Sequence, residues 1–136
     1  MRIDGACHCG RITYEAEIAS DRVMVCHCTD CQTLSGSAFR TVALTPPGGF
    51  RLLSGEPRIY VKTAESGRRR QQAFCGDCGS PLYATSEEPE PRVYSVRVGT
   101  CRQRAELRPQ AQIWHRSALP WLAELPGATC REEDWS

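Results

Sequence analysis

The sequence predicts a mainly β, antiparallel fold with one or two short helices, braced by metal-bound cysteines. Three observations carry this. Apolar residues alternate with polar ones over short runs, at Ile12–Ile18 and Tyr94–Val98. Clusters of Pro, Gly and Ser separate these runs at hairpin spacing. Seven of the nine cysteines fall into three tight groups: Cys7-His8-Cys9, Cys26-His27-Cys28-Thr29-Asp30-Cys31 and Cys75-Gly76-Asp77-Cys78.

In chain order, Ile12, Tyr14, Ala16 and Ile18 alternate with Arg11, Thr13, Glu15 and Glu17, marking a half-buried strand directly after the first cysteine pair. Val23-Met24-Val25 is a short apolar run leading into the second group. Thr29-x-x-Gln32 reads as a capping box that opens a helix from about Asp30 to Leu34, stopped by Gly36. Ala38 to Leu44 reads as a strand, broken by Pro46-Pro47-Gly48-Gly49. Phe50–Leu53 precedes a turn at Ser54-Gly55-Glu56-Pro57. Ile59–Thr63 and Arg70–Phe74 form a hairpin around Glu65-Ser66-Gly67, and the third cysteine pair follows at once. Leu82–Ala84 is a short strand. Ser86 to Pro91 is an acidic, proline-broken loop. Tyr94, Val96 and Val98 face one way along the clearest strand of the second half, with Ser95 and Arg97 on the other face. Ala111–Trp114 is the last strand, and Leu119–Leu125 a tryptophan-bearing turn or helix. No linker, repeat or low-complexity stretch divides residues 1–136, so a single domain is expected.

At 136 residues the chain is long enough to bury a core without staples. A net charge of +1 and 24% charged residues exclude a disordered tail protein and argue against bulk nucleic-acid binding. No apolar run approaches the ~20 residues of a membrane span. No signal-peptide pattern is visible, so a cytoplasmic location is expected. A reducing compartment and an odd cysteine count favour zinc over disulfides.

In extended chain Cys7 and Cys9 share a face, with His8 on the other. Gly10 permits an unusual turn after them. Cys75-Gly76-Asp77-Cys78-Gly79 is a zinc-knuckle pattern whose glycine takes positive φ. Together the two pairs make a closed four-thiolate site, the usual count for structural zinc. Cys26, Cys28 and Cys31 supply three thiolates and no evident fourth ligand. Three protein ligands and an open position are how catalytic zinc is held. His27 points away from such a metal and reads as a group that hydrogen-bonds outside the ligand set. His8 reads the same way. Cys101 and Cys130 read as free thiols, and Asp30 as an early-helix carboxylate. Arg68-Arg69-Arg70 reads as a solvated hairpin tip, with Arg68 and Arg70 on one face as the alternative clamp for carboxylates. Trp114 and Trp121 read as core or interface anchors. Ser37 and Phe39 are placed near enough to line a pocket at the second group.

The order Cys7-x-Cys9-Gly10, Cys26-His27-Cys28-x-x-Cys31 with Ser35-Gly36-Ser37-Ala38-Phe39, then Phe74-Cys75-x-x-Cys78-Gly79, Arg108-Pro109, Ile113-Trp114 and Pro120-Trp121 resembles the glutathione-dependent formaldehyde-activating enzyme family, also called the centromere-protein-V-like domain. The resemblance spans Gly5 to Trp121. It implies an Mss4-like β fold with two zinc ions. Cys7, Cys9, Cys75 and Cys78 would hold the structural one, and Cys26, Cys28 and Cys31 the catalytic one. It also implies a carbon–sulfur lyase that acts on S-hydroxymethylglutathione or a similar thiol–aldehyde adduct. The chain lacks the long insertions of the activity-bearing members, and their glutathione contacts do not map onto its motifs. The small-molecule partner is a thiol or its adduct; a homo-oligomer is compatible with the sequence. The competing readings are a non-catalytic zinc-scaffolded binding module and, last, a redox sensor built on the second cysteine group.

Overall fold

A computed structural model of the chain describes residues 1–19 and 21–134. It is mainly β, as the alternation predicts. The strands are β1 (Arg2–Ala6), β2 (Thr13–Glu17), β3 (Val23–Cys26), β4 (Arg40–Leu44), β5 (Phe50–Ser54), β6 (Arg58–Thr63), β7 (Arg69–Phe74), β8 (Pro81–Ser86), β9 (Tyr94–Arg97) and β10 (Ala111–Ile113). One α-helix, α1 (Thr29–Ser35), follows β3, and short 3-10 turns fill Val98–Thr100, His115–Ser117 and Pro120–Gly127.

Two sheets form. The smaller has the order β1-β2-β5 and the larger β10-β3-β4-β9-β8-β7-β6. Among the described residues every ladder is antiparallel except β10 on β3, which runs parallel with Ile113 opposite Cys26. The residues between β9 and β10 carry the chain back before it re-enters the sheet, which makes this last pairing parallel.

The period-two reading of β2 holds. Ile12, Tyr14, Ala16 and Ile18 are buried, and they pack with Ile3, Ala43, Ala73, Tyr83, Tyr94 and Val96 into one core between the sheets. Phe50 lies at the centre of its aromatic part, with its ring 5.2 Å from Tyr14 and 4.7 Å from both Tyr83 and Tyr94. Such ring pairs stabilise beyond simple area burial.

β9 departs from the expected half-exposed pattern. All four of its residues are buried. It lies between β4 and β8, so Val96 meets Ala43 and Tyr83 on the core face while Ser95 meets Leu44 and Ala84 on the other. That second face is the floor of a cavity, so Ser95 and Arg97 are covered rather than solvated. The strand also ends at Arg97, because a 3-10 turn takes over at Val98.

The helix begins one residue before the expected start. Cys28, extended at φ −60° and ψ 152°, is the N-cap, and its sulfur accepts the N–H of Cys31 at 3.2 Å. Gln32 does not reach back as a capping box would. Its amide donates instead to the carbonyls of His27 and Ser117, at 2.9 and 3.0 Å. Gly36 ends the helix in the left-handed region, at φ 63°.

Gly5 is where β1 approaches the segment after β9. A β-carbon there would overlap the Thr100 carbonyl oxygen and the Tyr14 hydroxyl. Gly5→Ala is expected to cost about 1–3 kcal/mol through overpacking, read as a lower denaturant midpoint. An unchanged midpoint would show that this contact is slack.

Candidate functional site

All nine cysteines are free thiols. Two groups converge. Cys7, Cys9, Cys75 and Cys78 bring four sulfurs within 4.8 Å of one another, and so do the three of Cys26, Cys28 and Cys31.

The first group joins the ends of two strands in different sheets. Cys7 and Cys9 follow β1, while Cys75 and Cys78 follow β7. Cys7 Sγ lies 3.6 Å from Cys9 Sγ, which lies 3.7 Å from Cys75 Sγ. Four sulfurs about 2.3 Å from one tetrahedral zinc would stand about 3.8 Å apart, so the donor set fits that ion. Backbone groups are aimed at the sulfurs: Ile12 N–H donates to Cys7 Sγ at 3.3 Å, and Cys9 N–H to Cys78 Sγ at 3.5 Å. The Ser80 hydroxyl lies 3.3 Å from Cys78 Sγ. That hydroxyl, with the N–H groups of Ser80 and Cys9, pulls the Cys78 thiol down to about 5. Gly10 and Gly79 hold the two turns at φ 82° and 80°, as their places in the motifs require. His8 is exposed, and its backbone N–H donates to Ser80 Oγ at 3.0 Å.

The second group lies at the end of β3 and the start of α1. The Cys26 thiol is pulled down by its hydrogen bond with Cys31, and Cys31 is pushed up by the same bond and by burial. No further histidine, cysteine, aspartate or glutamate joins this trio among the described residues. His27 is buried and turned away as expected; its Nε2 lies 2.8 Å from Gln112 Oε1, and its ring packs against Phe39.

The trio opens into a cavity of about 340 Å³ on the face of the large sheet opposite the core. Directly paired strand residues share a face, so the register places Arg40 beside Cys26, and Gln72 beside Ala84. Five cations line this cavity: Arg40, Lys62, Arg68, Arg70 and Arg97. Lys62 pairs with Asp30 at 2.8 Å. Arg69 faces away and pairs with Glu87 at 2.6 Å, while Arg68 and Arg70 both line the cavity; Arg70 is half-buried, and Arg68, like Arg69, is exposed. Arg40 and Arg97 are only 6% and 8% exposed. Both donate to Gln72 Oε1, at 3.3 and 2.7 Å. Burial, then the charge of Arg40, pushes the Arg97 guanidinium down to about 9, still protonated at neutral pH. Both arginines also border an adjoining cavity of about 410 Å³, lined by Leu34, Tyr60, Phe74 and Pro81.

Trp114 lines the first cavity and is 43% exposed, so it is not part of the core. It holds φ 53°, and the Arg116 guanidinium lies 4.7 Å above its ring. Ser37 and Phe39 do not reach the cavity; Leu34 and Arg40 take those places. Cys101 is buried against the Tyr14 hydroxyl at 3.2 Å and belongs to neither group, and Cys130 is exposed. Sequence reading missed Arg40, Gln72, Ser95 and Arg97, because only the sheet register joins them to the cysteines. An arginine inside the Val96–Val98 apolar run was the one visible signal.

The profile of a family described as glutathione-dependent formaldehyde-activating enzyme matches residues 2–117. No curated protein matches the chain. Among solved structures, a Rhodobacter sphaeroides protein determined as a structural-genomics target is similar with a TM-score of 0.59 and 20% identity, covering 80% of this chain and 98% of that one. At that identity the likeness speaks for the fold.

Proposed function

Since the chain belongs to the glutathione-dependent formaldehyde-activating enzyme family, we propose that it is a zinc-dependent carbon–sulfur lyase acting on thiol–aldehyde adducts such as S-hydroxymethylglutathione. Cys7, Cys9, Cys75 and Cys78 would hold a structural zinc, and Cys26, Cys28 and Cys31 a catalytic one. The observation that carries the reading is the three-sulfur group facing a cation-lined cavity with no fourth protein ligand among the described residues. Zinc there would supply a position at which a substrate thiol sheds its proton and a carbonyl oxygen is polarised.

The chain's own residues do the rest. Arg68 and Arg70 face the cavity and attract the carboxylates of a glutathione-like thiol. The sulfur of Cys28 is oriented by the Cys31 N–H. His27, held by Gln112, keeps the stretch between Cys26 and Cys28 from turning over. In the reaction the carbon–sulfur bond breaks with its electron pair left on sulfur. The adduct hydroxyl loses its proton as the carbonyl forms, and that proton ends on the departing sulfur, which restores the thiol. A cytoplasmic setting fits nine free thiols.

A closed second site would have favoured the binding-module reading; an open one in a concave surface counts against it. The test is metal-loaded protein with glutathione and formaldehyde, followed by NMR exchange spectroscopy. Adduct exchange faster than in buffer is expected, with metal analysis giving about two zinc per chain by the ligand counts. Exchange no faster than in buffer, across several thiols, would reject the lyase.

A further inference from the structure

Two guanidinium groups lie at the floor of the cavity, where the hydroxymethyl group of a formaldehyde adduct offers them no charge. Burying a charge costs several kcal/mol unless it is paired. Yet no carboxylate among the described residues forms an ion pair with Arg40 or Arg97. They share one neutral acceptor, Gln72 Oε1. Arg97 Nη1 donates to Ser95 Oγ at 3.3 Å, and its Nε is buried with no hydrogen-bond partner.

We propose that Arg40 and Arg97 form a carboxylate subsite beside Cys26, Cys28 and Cys31, and that the carbonyl compound handled there is a small 2-oxo acid, glyoxylate being the simplest. The inference rests on the thiol–aldehyde reading above and names its carbonyl partner. Reach is the argument. Arg40 is the direct cross-strand partner of Cys26, and such pairs have β-carbons about 4.5–5.5 Å apart. Arg40 and Arg97 also line the same cavity of about 340 Å³ as the three sulfurs, so an anion held by the two guanidinium groups shares that small space with the carbon that meets the substrate sulfur. The carboxylates of glutathione are several bonds from its thiol, and formaldehyde carries none. A carboxylate on the carbonyl carbon keeps both groups within that cavity and supplies acceptors for Arg97 Nε and for the free nitrogens of Arg40. In the addition direction the thiol sulfur bonds to the carbonyl carbon, the C=O π bond breaks, and the thiol proton ends on the new hydroxyl. The carboxylate is unchanged throughout.

The probe for binding is oxamate, an unreactive 2-oxo carboxylate, titrated calorimetrically into zinc-loaded protein, with inorganic phosphate for comparison. Wild type should bind oxamate, and Arg97→Met and Arg40→Met should weaken it about tenfold or more. Arg97→Lys should fall between. In exchange spectroscopy the preference for the glyoxylate–glutathione adduct over the hydroxymethyl adduct should drop about tenfold in Arg97→Met, in proportion to the lost contact. Circular dichroism checks each variant; if Arg97→Met does not fold, Arg40→Met and Arg97→Lys carry the comparison. Equal oxamate affinity in wild type and variants overturns the subsite. So does tight phosphate binding without oxamate binding. So does a loss of bound zinc with anion affinity unchanged, which would make the pair a counter-charge to the thiolates. Oxamate binding that depends on Arg97, in protein that accelerates no adduct exchange, keeps the subsite and removes the lyase. Hydroxymethyl exchange without oxamate binding does the reverse.

Discussion

Cys78→Ser is expected to melt the fold. The residue is exposed, and a surface substitution of this size ordinarily changes stability by less than about 0.5 kcal/mol. No core volume is lost and no helix is uncapped. What would be lost is one of four sulfurs that tie the turn after β1 to the turn after β7, and so one sheet to the other. Structural zinc contributes about 10–16 kcal/mol of apparent binding free energy, against about 5–15 for the whole stability of a domain. Serine in the ligand set should therefore cost about 5 kcal/mol or more, a fall of about 20 °C in Tm. Chelation of the wild type should reproduce this. A Tm within a degree or two of wild type would mean that the core holds without the metal and that this group is not structural.

Cys28→Ser should do the opposite: spare the fold and end the chemistry. Cys28 has two jobs in the proposed site. It is a ligand, and it caps α1 through its sulfur. Serine is among the best N-cap residues, so the hydroxyl keeps the helix start. The thiolate is not replaced. Bound zinc should fall from two to one per chain, as the ligand counts require, with Tm shifted by only a few degrees. Adduct exchange should drop about 100-fold or more. A Cys28→Ser protein that unfolds as readily as Cys78→Ser, or one that exchanges adduct at the wild-type rate, would overturn the division between the two groups.

The cysteine groups were legible because sulfur spacing is a local property. Two residues apart in extended chain, or three across a tight turn, fixes where thiolates point before any sheet forms. β2 was legible for the same reason. Its alternation is written over a few neighbours, and one face is buried. Arg97 was not legible. Alternation reports which side a residue takes but not what covers that side, and β9 is covered on both. The capping residue was misassigned because a cysteine sulfur can accept the helix N–H, and the sequence pattern Thr29-x-x-Gln32 offered a more familiar alternative. Gln32 was diverted by Ser117, a neighbour 85 residues away in sequence. The arginine tract was ambiguous until the hairpin register placed Arg70 opposite Lys62 and Arg69 opposite Thr63.

The lone parallel ladder sets an order of assembly during synthesis. The four-sulfur cage needs nothing beyond Cys78, so it can close while the rest of the chain is still being made. The wall beside Cys26 is built by Ala111–Ile113, with Trp114 at its edge. Until those residues leave the ribosome, β3 is an open sheet edge next to three sulfurs, the kind of edge that invites pairing with other chains. Stalled nascent chains ending between the two should therefore carry metal at the cage yet cross-link through Cys26, Cys28 or Cys31. The finished chain closes that sheet edge by adding one short strand last.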